Sequence, residues 1–291
     1  MTLVRACGLV LVLGGIVGAT VHDRLPIREI PRVDGRFVLT ADFHVHAFPG
    51  DGGLAAWELS REARRRELDV IVVTNHNQRL AAQIAATGLR RPVPEDPLTI
   101  VGQEVTAPGF HLVAAGIQDV VDWRLSASDA VRAIHAQGGV AIAAHPGRHS
   151  WRPDENAEAL ALLDGAEVAH PATIGSNRLR QELAAFFEAA STRNPSLAPV
   201  GSSDFHFGGA LGLCRTYLFV DEISQRGVLD ALRAGLTVAY DGHGRLSGEP
   251  ARVEAVRTLV ARHPPPLRAD LRSRTASWTS LAGLLILLLF R

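Results

Sequence analysis

Apolar and polar positions follow two rhythms between about residues 37 and 262. Short apolar runs, typical of buried strands, alternate with stretches whose apolar residues recur at helical spacing. Strands are predicted at 37–43, 70–74, 98–105, 111–115, 140–144, 166–169, 198–202, 216–220 and 237–240, and helices at 54–67, 128–137, 157–163, 178–190 and 224–234. Repeated strand-then-helix order predicts an α/β fold with a parallel sheet, open or closed into a barrel.

The two ends of the chain each carry an uncharged apolar run. Residues 1–22, in which the run follows Arg5, are typical of a signal peptide or a membrane anchor. Residues 275–290 are rich in Leu and follow a Pro- and Arg-rich linker at 263–274, which predicts a transmembrane segment or, alternatively, a buried terminal helix. We therefore expect a membrane-associated domain at 37–262. Arginines on the domain side of both runs leave its side of the membrane open.

Composition excludes several kinds of chemistry. The 291 residues include 30 acidic and 30 basic side chains, and every basic residue other than His is Arg. A P-loop lysine, a Schiff-base lysine and a lysine general base are therefore excluded. Two cysteines cannot form a disulfide framework or a Cys-rich zinc site. Zero formal charge and few aromatic residues give no reason to expect long nucleic acid as a partner.

Histidine is abundant, and most of the potential metal ligands stand where an apolar run gives way to a loop. In a parallel α/β barrel these strand ends converge on the face that carries the active site. His44 and His46 are two residues apart on an extended strand, so both can reach one ion. The full set is His44, His46, Asp51, His76, Glu104, His111, His145, Asp204 and His206.

This set of ligands predicts metal-assisted hydrolysis. Imidazole and carboxylate ligands suit Zn, Mn, Fe or Ni, and the set exceeds what one ion can use. More than one metal is therefore expected. Paired ions can clamp the attacking and leaving oxygens and lower the pKa of bound water.

The same residues lie in motifs that resemble those of the PHP-domain (polymerase and histidinol phosphatase) family of metal-dependent phosphoesterases. The matching motifs are Asp42-Phe43-His44-Val45-His46 with Asp51-Gly52, Thr74-Asn75-His76-Asn77, Gly102-Gln103-Glu104-Val105 with His111, Ala144-His145-Pro146-Gly147, and Ser203-Asp204-Phe205-His206. They follow the family's order from about residue 37 to residue 240. The resemblance implies a distorted (β/α)7 TIM-like barrel with two or three divalent ions, Mn, Zn or Fe, at its C-terminal face.

The resemblance also implies the ligands of each ion and the reaction. A metal-bridging hydroxide at a trinuclear site would attack a phosphomonoester of a small metabolite or of a nucleotide or oligonucleotide end. Carried over by motif, one metal would be bound by His44, His46, Glu104 and Asp204, a second by Asp51, His76 and His206, and a third by Glu104, His111 and His145, with Glu104 bridging.

Four further residues bear on activity. Arg148 and His149 follow a metal ligand and are expected to meet the substrate phosphate, since a guanidinium can grip phosphate through two bonds. Arg178 is a second choice for that role. Asn75 departs from the Asp that the family usually has there, so a carboxylate charge near the metals is lost.

Two other functions stay open on the sequence. One is a hydrolase of the amidohydrolase type, which also begins with His-x-His on a first strand and exists in carboxylate-bridged versions. The other is a non-catalytic, membrane-tethered module that only binds metal.

Overall fold

The structure is a computed structural model, which describes residues 3–20, 28–87, 96–147, 151, 156–207, 209–266 and 271–290. Its strands are β1 Arg32–Val33, β2 Arg36–Val45, β3 Val70–Val73, β4 Leu98–Ala107, β5 Phe110–Ala115, β6 Val140–Ala143, β7 Gly165–Ala169, β8 Ala198–Gly201, β9 Arg215–Val220, β10 Thr237–Tyr240 and β11 Leu246–Gly248. Its helices are α1 Leu3–Thr20, α2 Leu59–Arg65, α3 Leu80–Thr87, α4 Ala127–His135, α5 Ala157–Leu162, α6 Asn177–Arg193, α7 Gln225–Arg233, α8 Pro250–Arg262 and α9 Leu271–Leu289.

The strands form a nearly closed barrel in the order β11-β10-β9-β2-β3-β4-β5-β6-β7-β8, with β1 paired to β2. Side chains bridge the remaining gap beside β8. The Thr216 hydroxyl accepts from the Gly201 amide and donates to its carbonyl, both at 2.9 Å, and the Thr237 hydroxyl donates to the Pro199 carbonyl at 2.9 Å. The TIM-like barrel expected from the sequence is therefore present.

The sheet is mixed, so the expectation of a parallel sheet is only partly correct. β2-β3-β4 and β6-β7-β8 are parallel, whereas β5 runs antiparallel to both its neighbours and β9, β10 and β11 are antiparallel. Only Pro108 and Gly109 separate β4 from β5, and so short a connection can only reverse the chain. As a result the start of β5 lies at the same end of the barrel as the ends of β4 and β6. We call this end the mouth.

Apolar side chains fill the barrel below the mouth. Leu39, Val72, Val113 and Ile142 belong to one buried cluster, which α7 joins at the opposite end. On the outside, α4, α5 and α6 pack against β5 and β6. The five predicted helices are present with small shifts in their ends, whereas α3, α8 and the edge strand β11 were not predicted. The floor and walls of the mouth are therefore well packed.

The apolar ends of the chain form two helices that pack against each other, α1 and α9, which we call the terminal helix pair. Gly8 lies against Gly283, and Gly15 lies against Ser280, so the two helices run antiparallel. Among the described residues, no helix combines the length and the apolarity needed to cross a membrane, and the transmembrane segment expected at 275–290 is not found. The first half of α9 carries Arg272 and Arg274, which lowers its apolarity.

Candidate metal centre

All nine side chains singled out in the sequence meet at the mouth. His44 is the penultimate residue of β2, Glu104 lies in β4 and His111 near the start of β5, and the others stand in the loops after β2, β3, β6 and β8. The pairing of β2 with β3 shifts register just before Val45, which re-aims the side chains of β2 where His44 enters the mouth. His111 reaches the mouth because β5 is antiparallel.

Four buried ligand atoms surround one point at the centre of the mouth. His44 Nε2 lies 3.3 Å from Glu104 Oε2 and 3.3 Å from Asp204 Oδ1. His46 Nε2 lies 3.3 Å and 3.4 Å from the same two oxygens. Four atoms bound tetrahedrally at about 2.1 Å from one ion lie roughly 3.4 Å apart. The four observed separations are close to this value, and His44, His46 and Asp204 form a group whose ligand atoms could hold one ion.

The same four atoms make no hydrogen bond within the described part of the chain. The side chains of His44, His46 and Glu104 are fully buried, and that of Asp204 is 10% exposed. A buried polar atom without a partner costs about 1–3 kcal/mol, so four together need compensation. A metal ion between them would satisfy all four, and the residues present therefore fit a metal site.

A second group of ligands lies toward solvent around Asp51. Asp51 Oδ2 is 3.1 Å from His76 Nε2 and 3.1 Å from His206 Nε2, and its other oxygen is 3.0 Å from His46 Nδ1. The side chains of Asp51 and His76 are 42% and 39% exposed. This outer group can bind metal, as its four residues place their ligand atoms within reach of one ion.

The carboxylate of Glu104 connects the groups. Its Oε1 lies 2.6 Å from His111 Nδ1 and 3.2 Å from His145 Nε2, whereas its Oε2 faces His44, His46 and His76. A carboxylate whose two oxygens face different imidazole groups has the arrangement of a bridging ligand.

The electrostatics of the centre favour a cation. Burial alone would lower the pKa of His44, but nearby carboxylates, Asp204 foremost, raise it well above its ordinary value. Burial also lowers the pKa of His46, but hydrogen bonds to Asp204 and Asp51 outweigh burial and raise this pKa to about 10. Against its own burial, Glu104 has a pKa well below its usual range because of the imidazole of His44. The surplus of negative charge that holds these protons would equally hold metal ions.

Three supporting side chains were not identified as such from the sequence. Glu167, fully buried in β7, places Oε1 3.0 Å from His44 Nδ1 and accepts from the His145 amide at 2.6 Å. Asp42 accepts from the Ser203 amide at 3.0 Å and so ties β2 to the loop after β8. His170 Nε2 lies 3.1 Å from Asp204 Oδ2. A buried Glu inside an apolar strand was the available signal for the first of them.

Two of the candidate ligands have unusual backbone conformations. His145 and Asp204 have φ values of 29° and 44°, although neither is glycine. Such residues cost on the order of 1–3 kcal/mol each and cluster at functional sites. In both cases the chain turns sharply at the end of a parallel strand, β6 or β8, which aims the side chain into the mouth.

Asn75 supports the loop of the outer group rather than the metals. Its Nδ2 donates to the Ala47 carbonyl at 2.7 Å, and its Oδ1 accepts from the Ala47 amide at 3.2 Å. The same loop passes so close to itself that a Cβ on Gly52 would lie 2.2 Å from the Ala47 nitrogen. The loop carries Asp51, so Asn75 helps to hold that ligand. An Asp could not donate to the carbonyl.

The expected phosphate-binding residues have different outcomes. Arg148 and His149 lie outside the described residues. Arg178 is 87% exposed on its side chain and donates to Glu182 at 2.7 Å, an ordinary ion pair one turn along α6. The structure therefore gives Arg178 a partner on its own helix.

Two solved structures are similar in fold to this chain. A two-domain protein from Bacteroides vulgatus that contains a predicted PHP-like metal-dependent phosphoesterase is similar over 81% of this chain and 74% of that chain, with 23% identity and a TM-score of 0.62. PsfC from Pseudomonas syringae is similar over 77% of this chain and 98% of that chain, with 15% identity and a TM-score of 0.51. No protein-family model and no curated protein matches the chain.

The fold is therefore that of a PHP-like metal-dependent phosphoesterase, which confirms the resemblance seen in the sequence. At the mouth of this fold, His, Asp and Glu side chains form groups that could hold a metal ion.

Proposed function

We propose that the chain is a metal-dependent phosphoesterase with up to three divalent ions, Mn, Zn or Fe, at the mouth of the barrel. The observation that carries this proposal is the set of four buried ligand atoms, on His44, His46, Glu104 and Asp204, that face one another without hydrogen bonds. Neutral imidazole and carboxylate oxygen are the ligands that these metals accept.

Three ions are proposed because the ligands fall into three groups. The first group consists of the four buried atoms on His44, His46, Glu104 and Asp204. The second is the outer group around Asp51, and the third is His111 with His145. Glu104 belongs to two of them, one through each oxygen. When bound, the ions would lower the pKa of a coordinated water and neutralise charge on the phosphoryl oxygens.

The chain's own residues would hold and orient these ligands. Glu167 accepts from His44 Nδ1 and thereby leaves Nε2 free to bind metal, which fixes the tautomer. Asp42 holds the loop of Asp204 through the Ser203 amide. Arg148 and His149, next to a proposed ligand, are proposed to bind the phosphate.

The experiment is phosphate release by the full chain from p-nitrophenyl phosphate, nucleotides and sugar phosphates, with metal content measured in parallel. We expect two or three ions per chain and turnover that a chelator abolishes and added Mn or Zn restores. Bound metal without release from any phosphoester would contradict the proposal and favour an amidohydrolase-type reaction or a non-catalytic module.

A further inference from the structure

The terminal helix pair is anchored beside the metal centre. The Ser273 hydroxyl donates to Glu62 Oε2 on α2 at 2.6 Å, and the Ala55 amide donates to the Ser277 hydroxyl at 3.2 Å. Arg274 donates to the Gly209 carbonyl at 2.6 Å. Ala55 and Gly209 belong to the loops that carry Asp51 and His206. Along α9 the contacts therefore pass from the side of the barrel to its mouth, and the rest of the helix extends beyond it.

Beyond the mouth the helix pair exposes large apolar side chains in several directions. Leu288 and Leu289 are the last two residues of α9 and Phe290 follows them, and the three are 51%, 69% and 53% exposed. Leu9 and Val10 are consecutive on α1 and are also exposed. Consecutive residues of an α-helix point about 100° apart. A protein groove would cover one face of such a helix, whereas lipid covers all of them.

The order of residue types along α9 matches a helix that enters a lipid surface. Arg272 and Arg274 come first, then Trp278, which is 57% exposed, and then the apolar stretch 281–290. Membrane-surface helices commonly show this order. Arginine lies beside the lipid head groups, an aromatic ring lies at the interface, and the apolar residues lie in the hydrocarbon. Arg5 is exposed near the tip of α1, where a charged side chain limits how deeply the helix pair can enter the hydrocarbon.

The level of Trp278 is also the level of the mouth. Its ring lies 6.1 Å from that of Phe207, which follows the proposed ligand His206 and is 53% exposed. Two more exposed apolar residues, Leu80 and Ile174, stand four positions after His76 and His170. Two loops of the mouth and the start of α3 thus carry exposed apolar side chains near histidines of the centre.

We propose that the terminal helix pair binds a lipid surface and that the metal centre acts on phosphoesters carried by lipids. This inference rests on the proposed phosphoesterase function. A mouth at head-group level meets the phosphate of a lipid without drawing its acyl chains into water, which would cost about 0.8 kcal/mol per CH₂. The inference also narrows the substrate class. From the sequence alone we expected a phosphomonoester of a small metabolite or of a nucleotide or oligonucleotide end, and we now propose a phosphoester carried by a lipid.

The test compares the metal-loaded full chain with the double variant Leu285→Glu, Leu289→Glu and with Val120→Glu as the matched control. All three residues are exposed and apolar, but Val120 lies in the loop after β5, outside the helix pair. Flotation with phosphatidylcholine vesicles measures binding. Hydrolysis is measured on phosphatidic acid in those vesicles, on glycerol 3-phosphate, which has the same head group, and on p-nitrophenyl phosphate.

We expect the parent and the control to float and to prefer phosphatidic acid over glycerol 3-phosphate by roughly tenfold or more, because binding concentrates enzyme and substrate. The double variant should stay unbound and lose that preference while keeping its rate on p-nitrophenyl phosphate. A parent that does not float, or a double variant that hydrolyses vesicle lipid like the parent, overturns the inference. The inference is also overturned if the parent is a dimer and the double variant a monomer, because a second copy of the chain would then cover the exposed side chains of the helix pair.

Failure of the proposed function gives a different result. In that case the parent hydrolyses none of the three phosphoesters, p-nitrophenyl phosphate included, whatever its flotation. The proposal of a lipid substrate is then rejected together with the proposed phosphoesterase function, whereas the flotation result still tests lipid binding by itself.

Discussion

The metal centre and the terminal helix pair depart from ordinary folding rules in opposite directions. The centre buries polar atoms that have no hydrogen bonds among the described residues, as His44 Nε2 and Asp204 Oδ1 show. The helix pair instead exposes apolar side chains such as Leu285 and Leu289 to water. Both arrangements are costly in an isolated chain. A cation would compensate the first, and an apolar phase would compensate the second.

The two regions also differ in how they are held. The candidate ligands of the centre are held by buried hydrogen bonds that Glu167 and Asp42 accept, from His44 and from the Ser203 amide, and by the strands on which they stand. The helix pair is held to the barrel near the start of α9, through Ser273 and Ser277. Damage to the centre should therefore abolish chemistry and leave the fold intact. Damage to the helix pair should change where the protein acts and leave chemistry intact.

The largest effect is expected for Glu104→Ala. It removes the carboxylate that faces both His44 and His111. We expect metal content to fall by at least one ion per chain and phosphate release to fall on the order of 10³-fold, because several kcal/mol of charge stabilisation are lost. Metal analysis and kinetics on p-nitrophenyl phosphate measure both.

The control for this variant is Glu254→Ala, which removes an exposed carboxylate on α8 that pairs with Arg257. Its metal content and rate should equal those of the parent. If Glu104→Ala kept the parent's metal content and rate, the assignment of the centre would be wrong.

A smaller loss is expected for Glu167→Gln. The amide keeps the shape of the carboxylate but takes away the charge that orients His44 through Nδ1. Replacing such a supporting group typically costs 10–100-fold in metal affinity or activity. Titration of the metal-free chain with Zn would show this as weaker binding. An unchanged affinity would mean that the charge of Glu167 is not needed to support His44.

The sequence predicted the barrel and the meeting of the nine ligands because both follow from local pattern. Each strand is a short apolar run, and most of the candidate ligands stand at or just after the C-terminal end of one, so chain order places those ligands at one face. The reversed direction of β5 was not predicted, although Pro108-Gly109 leaves no room for a crossover. His111 reaches the mouth by that reversal rather than by the end of a parallel strand.

The supporting residues and the packing of the two chain ends could not be read from pattern. Glu167 lies inside a strand, and only the fold brings it to His44, 123 positions earlier in the chain. The polar residues at the start of α9 are explained by their contact with α2, where the Ser273 hydroxyl donates to Glu62. This contact joins two distant parts of the chain and cannot be read from local pattern. Arg148 and His149, outside the described residues, stay predictions.

A moderate effect on stability is expected for Asn75→Asp. The new carboxylate would face the Ala47 carbonyl, 2.7 Å from the present donor, with no hydrogen to donate. We expect the free energy of unfolding to fall by about 1–3 kcal/mol and the rate to fall with it, since this loop carries Asp51. Thermal unfolding measures the change.

Asn177→Asp, at the exposed first position of α6, is the matched control and should not lower stability, because a negative charge is favourable at the start of a helix. The competing expectation is that Asp restores a useful charge near the metals. A faster and equally stable Asn75→Asp variant would support that expectation and contradict the role of the amide.

The smallest effect on chemistry is expected for Gly15→Ala, which tests the helix pair alone. A Cβ on Gly15 would lie 2.2 Å from Ser280 Oγ and 2.6 Å from the Ala276 carbonyl, so α1 must move away from α9. Overpacking of this kind costs about 1–3 kcal/mol. At Gly14 a Cβ meets nothing within 4 Å among the described residues. Gly14→Ala is thus a matched control that should favour the helix.

Trypsin cleavage after Arg5 reports the separation of the two helices. Gly15→Ala should be cut faster than the parent and Gly14→Ala no faster, while all three hydrolyse p-nitrophenyl phosphate at the same rate. Equal cleavage of the two variants would mean that α1 is not packed on α9 at Gly15. A lower rate on p-nitrophenyl phosphate for Gly15→Ala alone would show that the helix pair affects the geometry of the metal centre, and not only where the protein binds. The contact between Trp278 and Phe207, next to His206, is the path by which a shift of α9 would reach the centre.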